Sequence, residues 1–492
     1  MRALNVEAFR YASLVSGILC AVTPLFLYVE WMNSFLLVWG AVLIVWDIFT
    51  THHIFKNKAK LVLILFMICY FISVIVNWGN FPENDYGNIV MMCYCALSYF
   101  VSYSYDTRDS EKKVMRQVKV MNAIFIIMGS VLALANMILF ATHKTYPYTT
   151  LAGNPAVYGM LGNRFYGFLG NPNIDGIFAA MVIAFTIVCL YLKLFKSKTA
   201  KVLSILAIIL NYIALCVSVS RGSELAIVVF VGALLLFSLE KFFSKVGVKR
   251  ILAFLCSLVI GLISALGLYM SFDCGRLVIN AVVIKTQPPA QVLPGQTPVV
   301  PIDPSLIERG DEQEFTNGRM RLWKAGLHVI KQKPLFGTSF KNIAEDTLKY
   351  YEGDSTLPGL EGAGMHNQFM QVAVANGLIG LALFIVITLI FVYTILRYIL
   401  KRHRPAHYKV MVAFLAVFCM FFANNLVESR IVYGNYYGNV MFWSYLAFAM
   451  YFIRKDTGTE DKENFLSRLF TFPKGKKRAL QAADTPADPE EN

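Results

Sequence analysis

Apolar runs close to the length of a bilayer span recur along most of the chain. They cover residues 11–29, 34–49, 60–78, 89–103, 118–141, 174–194, 202–219, 222–239, 251–270, 377–396, 410–427 and 437–453. A helix needs roughly 20 mostly apolar residues to cross the hydrocarbon layer, so this pattern predicts about twelve transmembrane helices. The polar stretches between them are mostly short, and residues 271–376 are the long exception. The expected organisation is a membrane domain of nine spans over 1–270, a long extracytoplasmic loop with short helices over 271–376, three further spans over 377–453, and a tail over 454–492. That tail is basic in its first half and ends D-T-P-A-D-P-E-E-N, a composition expected to be disordered in the cytoplasm. The fold class is all-α and polytopic.

Composition agrees with lipid as part of the solvent. Of 492 residues, 57% are hydrophobic and 15% charged, and the mean hydropathy is +0.55, beyond what a soluble domain of this size buries. The net charge of +14 raises the question of a nucleic-acid partner, but its placement answers it. Lysine and arginine gather in the short loops on the side of the N-terminus and are sparse in the short loops opposite, which puts both termini in the cytoplasm by the positive-inside rule. The long loop carries nearly equal numbers of basic and acidic residues, so it is no nucleic-acid platform. Only Arg2 and Arg10 precede the first long span, with no small-residue cleavage site, so this segment reads as a first helix and not as a removable signal. Of the nine cysteines, Cys274 alone lies clearly outside the spans, and no disulfide framework follows. The absence of an internal repeat argues against transporter folds built from repeated halves.

Three segments on the outer side are large enough to build a site: residues 142–173, the turn at 220–222, and residues 271–376. Within the last, residues 287–304 are rich in proline and read as an extended excursion without chemistry. Thr316 and Asn317 are good helix N-caps, and Met320, Trp323, Leu327 and Ile330 then follow at helical spacing until Pro334 and Gly337. A loop helix is predicted there, its apolar stripe lying on the bilayer surface or packing on the spans.

The most informative string is M-H-N-Q-F-M-Q-V-A-V-A-N-G-L-I-G from Met365, where the loop ends and a helix enters the membrane. His366-Asn367, nine residues, then Gly377-x-x-Gly380 resembles the O-antigen ligase and polymerase family of integral-membrane glycosyltransferases. Ser220-Arg221-Gly222, Gly318-Arg319 followed by Trp323, Pro334-Leu335-Phe336-Gly337, and Asn171-Pro172-Asn173 agree with the same family. The resemblance implies a fold like the C-type glycosyltransferases, with 271–376 capping an outward cavity. It implies transfer of a glycan from undecaprenyl diphosphate to a hydroxyl, without a cofactor. Polymerisation of surface-polysaccharide repeat units is the expected reaction; a ligase that moves the finished chain to lipid A core, protein or another acceptor is the alternative. A flippase or transporter would show charges buried in mid-span and short loops instead. The partners implied are the lipid-linked glycan, membrane lipid, a flippase and chain-length regulators.

Physical chemistry gives each candidate two readings. Guanidinium forks match phosphate oxygens, so Arg221 and Arg319 would hold a lipid diphosphate. Arg221 could instead form a buried pair with Glu224, and Arg319 could be an ordinary solvated charge. Arg164, among aromatics, reads equally as a phosphate ligand or as a headgroup anchor. His366 stands at the positive end of a helix dipole, which works against a second positive charge and suits a ring that takes a proton from a sugar hydroxyl. Asn367 would cap the helix or orient that ring, and Asn171 opens the sixth span. Asn424, Asn425, Glu428 and Arg430 end the eleventh span and would complete the pocket, although interface polarity alone could place them there. His403 and His407 have a ligand-like spacing, but Pro405 breaks the helix between them and their loop is cytoplasmic, so no metal site is expected.

Overall fold

A computed structural model describes residues 5–149, 155–161, 164–286, 319–351, 364–401, 405–434 and 436–458. The proline-rich stretch at 287–304 and nearly all of the expected tail lie outside them.

The helices are α1 (Val6–Ala21), α2 (Phe26–Val29), α3 (Trp31–Phe49), α4 (His53–Lys56), α5 (Lys60–Val76), α6 (Pro82–Leu97) and α7 (Glu111–Ala141). After a small sheet come α8 (Pro172–Tyr191), α9 (Lys198–Ser218), α10 (Arg221–Lys245) and α11 (Arg250–Thr286). Then follow α12 (Arg319–Gln332), α13 (Ile343–Leu348), α14 (Gln368–Ile399), α15 (Tyr408–Asn425) and α16 (Tyr437–Thr457). The sheet, β1 (Tyr146–Thr149), β2 (Pro155–Leu161) and β3 (Arg164–Tyr166), is an antiparallel meander inside the segment between the fifth and sixth predicted spans.

Every predicted span coincides with helix. Among the described residues eight helices are long and apolar enough to cross a membrane, or nine if the bent pair α1–α2 counts as one. The expected twelve therefore includes segments that fall below that measure, among them the shorter α5. The first predicted span is not straight: the chain turns by 103° between α1 and the following helices, at Pro24, which cannot donate an i→i−4 hydrogen bond. The boundary expected at 270/271 falls inside α11, which runs on to Thr286. Likewise α16 extends beyond 453 to Thr457.

The layering follows from which faces are apolar. Helices α8, α15 and α16 are buried around nearly their whole circumference and form the centre of the bundle. Polar links join them to the outer layer, as where Tyr445 donates to Asn122 of α7 at 2.7 Å. In contrast α3, α9 and α11 leave Val38, Val45, Ile205, Ile209, Leu262 and Ile263 exposed, which is stable only against lipid. This is an all-α multi-pass membrane protein, with one small sheet among the described residues.

The G-x-x-G motif has a structural reason. Helix α14 is broken at Gly377, whose φ of 67° and ψ of −171° are open to glycine alone. The Pro334–Gly337 turn lies across the break: Leu378 N donates to Pro334 O at 2.8 Å, and Thr338 N and Ser339 N donate to Val374 O and Ala375 O, each at 2.9 Å. Ser73 of α5 also donates to Ala375 O at 2.9 Å, so the carbonyls freed by the kink are satisfied. A Cβ on Gly377 would sit 2.3 Å from the Leu335 carbonyl carbon, and one on Gly337 would sit 2.3 Å from Val374 O. Gly377→Ala is therefore expected to lower the melting temperature of the purified protein, the backbone conformation alone costing about 1–3 kcal/mol. Gly267→Ala, where a methyl group meets nothing within 4 Å, is the control and should leave it unchanged or slightly raised. Equal melting temperatures for the two variants would refute the tight crossing.

Candidate active site

The sequence candidates converge at one end of the bundle, on a carboxylate. Glu428 lies just beyond α15, in the segment that leads to α16, and is only 5% exposed. That segment is pinned on both sides. Arg430 N donates to Asn425 at 2.9 Å, Ile431 N to Gln368 at 3.2 Å, and Trp443 Nε1 to Ile431 O at 2.8 Å. The carboxylate is thereby held still before any ligand arrives.

Four side chains from separate parts of the chain meet it. His366 Nδ1 lies 3.1 Å from Glu428 Oε2, and Arg430 Nη2 lies 3.4 Å from the same oxygen. Arg319 Nη2, from the first residue of α12, lies 3.3 Å from Oε1. Asn173, in the first turn of α8, reaches Oε1 at 3.5 Å and accepts from Arg164 Nη2 of β3 at 2.9 Å. Burial alone would push Glu428 up, but the His366 hydrogen bond and the charges of Arg430 and Arg319 outweigh it and hold the carboxyl at about 2. Its contribution to stability is thus fully present above about pH 4.5 and is lost as pH falls from there towards 2. Burial lowers Arg164 from its usual value, and the charge of Arg319 adds to the effect while Tyr166 and Glu428 oppose it. Arg430 is raised: burial works against its charge, and Glu428 prevails.

Three guanidiniums around one carboxylate leave an excess of positive charge. Nε of Arg164 and Nε of Arg430 are both buried without a hydrogen-bond partner. Buried donors seldom stay unpaired in a folded protein, so these two point to an anion that completes the set.

His366 is presented by strain and by packing. Its φ is 47°, uncommon for a residue with a side chain. Trp323 Nε1 of α12 donates to Met365 O at 2.8 Å and fixes the residue before it. Asn367 is the N-cap of α14, accepting from Phe369 N and Met370 N, and it donates to Leu426 O at 3.0 Å. It therefore caps and ties α14 to α15 without touching the imidazole. Because Glu428 is ionised and can only accept, Nδ1 of His366 is the donor, and in the neutral ring Nε2 carries the free electron pair.

The other candidates fall as follows. Arg221 opens α10, is exposed, and belongs to a turn that packs beside the site: a Cβ on Gly222 would meet Val427 at 2.8 Å. The preceding Val219 has φ 49°, a second strained residue here. Glu224 does not pair with Arg221; it is 1% exposed and bound by Arg276 of α11. Sequence spacing could not show this, because Arg276 stands on a different helix in a stretch that reads as loop. Asn171 caps α8 by accepting from Asn173 N, and it is Asn173, two residues on, that reaches the carboxylate. The face of α12 that packs on the spans is not the expected stripe: Leu322, Ala325 and Val329 are buried, whereas Met320 and Leu327 of that stripe are exposed and Trp323 and Ile330 are half-buried. Sequence reasoning placed Glu428 and Arg430 near the pocket without giving Glu428 its central place. The Glu-x-Arg pair at a span end was the available signal.

Directly below, an apolar cavity of about 660 Å³ lies between α10, α14, α15 and α16, with Phe384, Phe391, Phe418 and Trp443 on its walls. Gln368, Leu426 and Val427 line it too, which joins it to the polar cluster. Guanidinium groups beside an apolar cavity in a membrane bundle are an arrangement that can take an amphiphile with an acidic head.

The comparison with known families agrees. Residues 203–385 match the family model described as O-Antigen ligase, which supports the O-antigen ligase and polymerase family for this chain and, with it, membrane glycan transfer in surface-polysaccharide synthesis. The match takes in Arg221, Arg319, His366 and the G-x-x-G motif, while Glu428 and Arg430 lie beyond its end. A search among curated proteins gave no match.

Proposed function

We propose that this protein polymerises surface-polysaccharide repeat units, moving a glycan from undecaprenyl diphosphate to a sugar hydroxyl at the outer face of the bacterial inner membrane. The observation that carries the proposal is the Glu428 cluster, in which His366, Arg319 and Arg430 share one carboxylate at the head of the apolar cavity and Arg164 joins them through Asn173. The polyprenyl chain would lie in the cavity. Its diphosphate would take the free donors of Arg164 and Arg430 together with Arg319, and Arg221 would close the site from the α9–α10 turn.

In the reaction the bond between the anomeric carbon and the diphosphate oxygen breaks, and a bond from that carbon to the acceptor oxygen forms. Nε2 of His366 takes the acceptor proton as the bond forms. Glu428 keeps the ring in the tautomer that can do so and stabilises the imidazolium that results. The leaving diphosphate carries the negative charge away, stabilised by the guanidiniums.

The test is transfer by the purified full chain in liposomes, with a lipid-linked repeat unit as donor and EDTA present throughout. Arg319→Lys and Arg221→Lys keep the charge and lose the fork, and each is expected to reduce transfer by about tenfold or more. Full activity in both would refute the diphosphate site. Products longer than one repeat from lipid-linked units alone support a polymerase, whereas transfer only to added lipid A core would make the protein a ligase.

A further inference from the structure

Helix α12 has a second functional face, turned away from the one that packs on α14. Arg321, Lys324, His328 and Lys331 follow one another at helical spacing and all four are exposed. With Leu327 and Tyr350 they line a cleft of about 250 Å³. The rings of His328 and Tyr350 lie nearly parallel, with centroids 5.6 Å apart and 13° between planes, which gives the cleft an aromatic wall. Among the described residues Lys324 and Lys331 form no ion pair. Asp346, on the neighbouring α13, is already bound by Lys333 and Lys349.

Resting on the transferase reading above, we propose that this cleft binds a negatively charged stretch of the acceptor or product saccharide. Ammonium and guanidinium groups would pair with carboxylates or phosphates of the chain, and the aromatic wall would cover the apolar face of a sugar ring. The same rigid helix carries Arg319 and Trp323 at the reaction site, and from Arg319 to Lys331 it extends about 18 Å, the length of several sugar rings. An anionic lipid headgroup is the competing ligand for such a basic face. A helix seated on a bilayer needs a continuous apolar side for the lipid, and here Leu322, Ala325, Gly326 and Val329 are buried, a Cβ on Gly326 falling 3.3 Å from Val374 of α14, while the exposed Met320 and Leu327 stand about two turns apart.

The experiment uses the full chain in nanodiscs of zwitterionic lipid, with oligogalacturonate as the acidic saccharide and a maltooligosaccharide of equal length as the neutral one. Oligogalacturonate should bind and the neutral chain should not. The double charge reversal Lys324→Glu/Lys331→Glu should weaken oligogalacturonate binding by about tenfold or more, and Lys324→Arg/Lys331→Arg should retain it. Absence of binding, or binding unchanged by charge reversal, overturns the proposal. So does a result in which phosphatidylglycerol in the nanodisc, and not the saccharide, is the ligand that charge reversal affects. Single transfer of a lipid-linked unit to a short neutral acceptor is measured alongside and should be the same in wild type and charge-reversal variant. Transfer without oligogalacturonate binding sinks the cleft and leaves the transferase reading standing, whereas cleft-dependent binding without any transfer supports a saccharide site and sinks that reading.

Discussion

His366→Ala is expected to lower turnover of a lipid-linked glycan by about 100-fold or more, while binding of the polyprenyl diphosphate donor changes little. The expectation rests on how the ring is held. Nδ1 is committed to Glu428 at 3.1 Å, so its chemistry is confined to Nε2. The side chain is 34% exposed, open to an incoming hydroxyl yet backed by a buried carboxylate. The charges proposed to hold the donor are on Arg164, Arg319 and Arg430, which alanine at 366 leaves in place. Steady-state transfer and equilibrium binding of a fluorescent lipid diphosphate separate the two effects. Near-normal turnover would remove His366 from the chemistry, and joint loss of binding and turnover would move it into the diphosphate site.

Glu428→Gln should have an effect of similar size for a different reason. The amide can no longer fix the imidazole tautomer or balance an imidazolium, so turnover is expected to fall on the order of 100- to 10,000-fold. It also leaves Arg319 and Arg430 without their shared counter-charge, and breaking a buried pair in this way typically costs about 3–5 kcal/mol, which thermal unfolding would register. Donor binding is expected to hold or tighten, since one negative charge has been taken from among the guanidiniums. Glu428→Asp keeps the charge and should recover part of the turnover and most of the stability. Because the carboxyl of Glu428 is held at about 2, it is already ionised above pH 4.5, so the wild-type rate should show no Glu428 limb over the neutral range. Donor binding that disappears in a folded Glu428→Gln protein would mean that the carboxylate contacts the donor itself.

The two predictions rest on residues that were legible in the sequence to different degrees. His366, Arg319 and Arg221 could be named from local strings, because a motif with fixed spacing stays readable when its partners are unknown. Glu428 was legible only as one of several polar residues at the end of a span, since nothing along the chain says that a carboxylate 62 positions after His366 will stand 3.1 Å from it. The Glu224 pairing shows the same limit in reverse: Arg221 is the near neighbour in sequence, but the chain reads Arg276 as loop, and only its helix brings it to the carboxylate.

By itself the sequence determined the class of fold and the bulk of the helices, because the requirement that backbone groups in lipid be satisfied internally makes long apolar runs helical whatever their neighbours do. It marked Gly337 and Gly377 as well, through the strings they belong to, although the backbone crossing that no side chain allows there came from the structure. Tertiary structure decided which charges meet, for an ion pair or a hydrogen bond depends on distances of a few ångströms between elements far apart in the chain. It also decided that the segment between α7 and α8 would contribute a short sheet, whose strands pair within an otherwise helical protein and bring Arg164 to the site. Periodicity reports how each element meets lipid or core, and Glu428 stands past the end of α15, where no period applies.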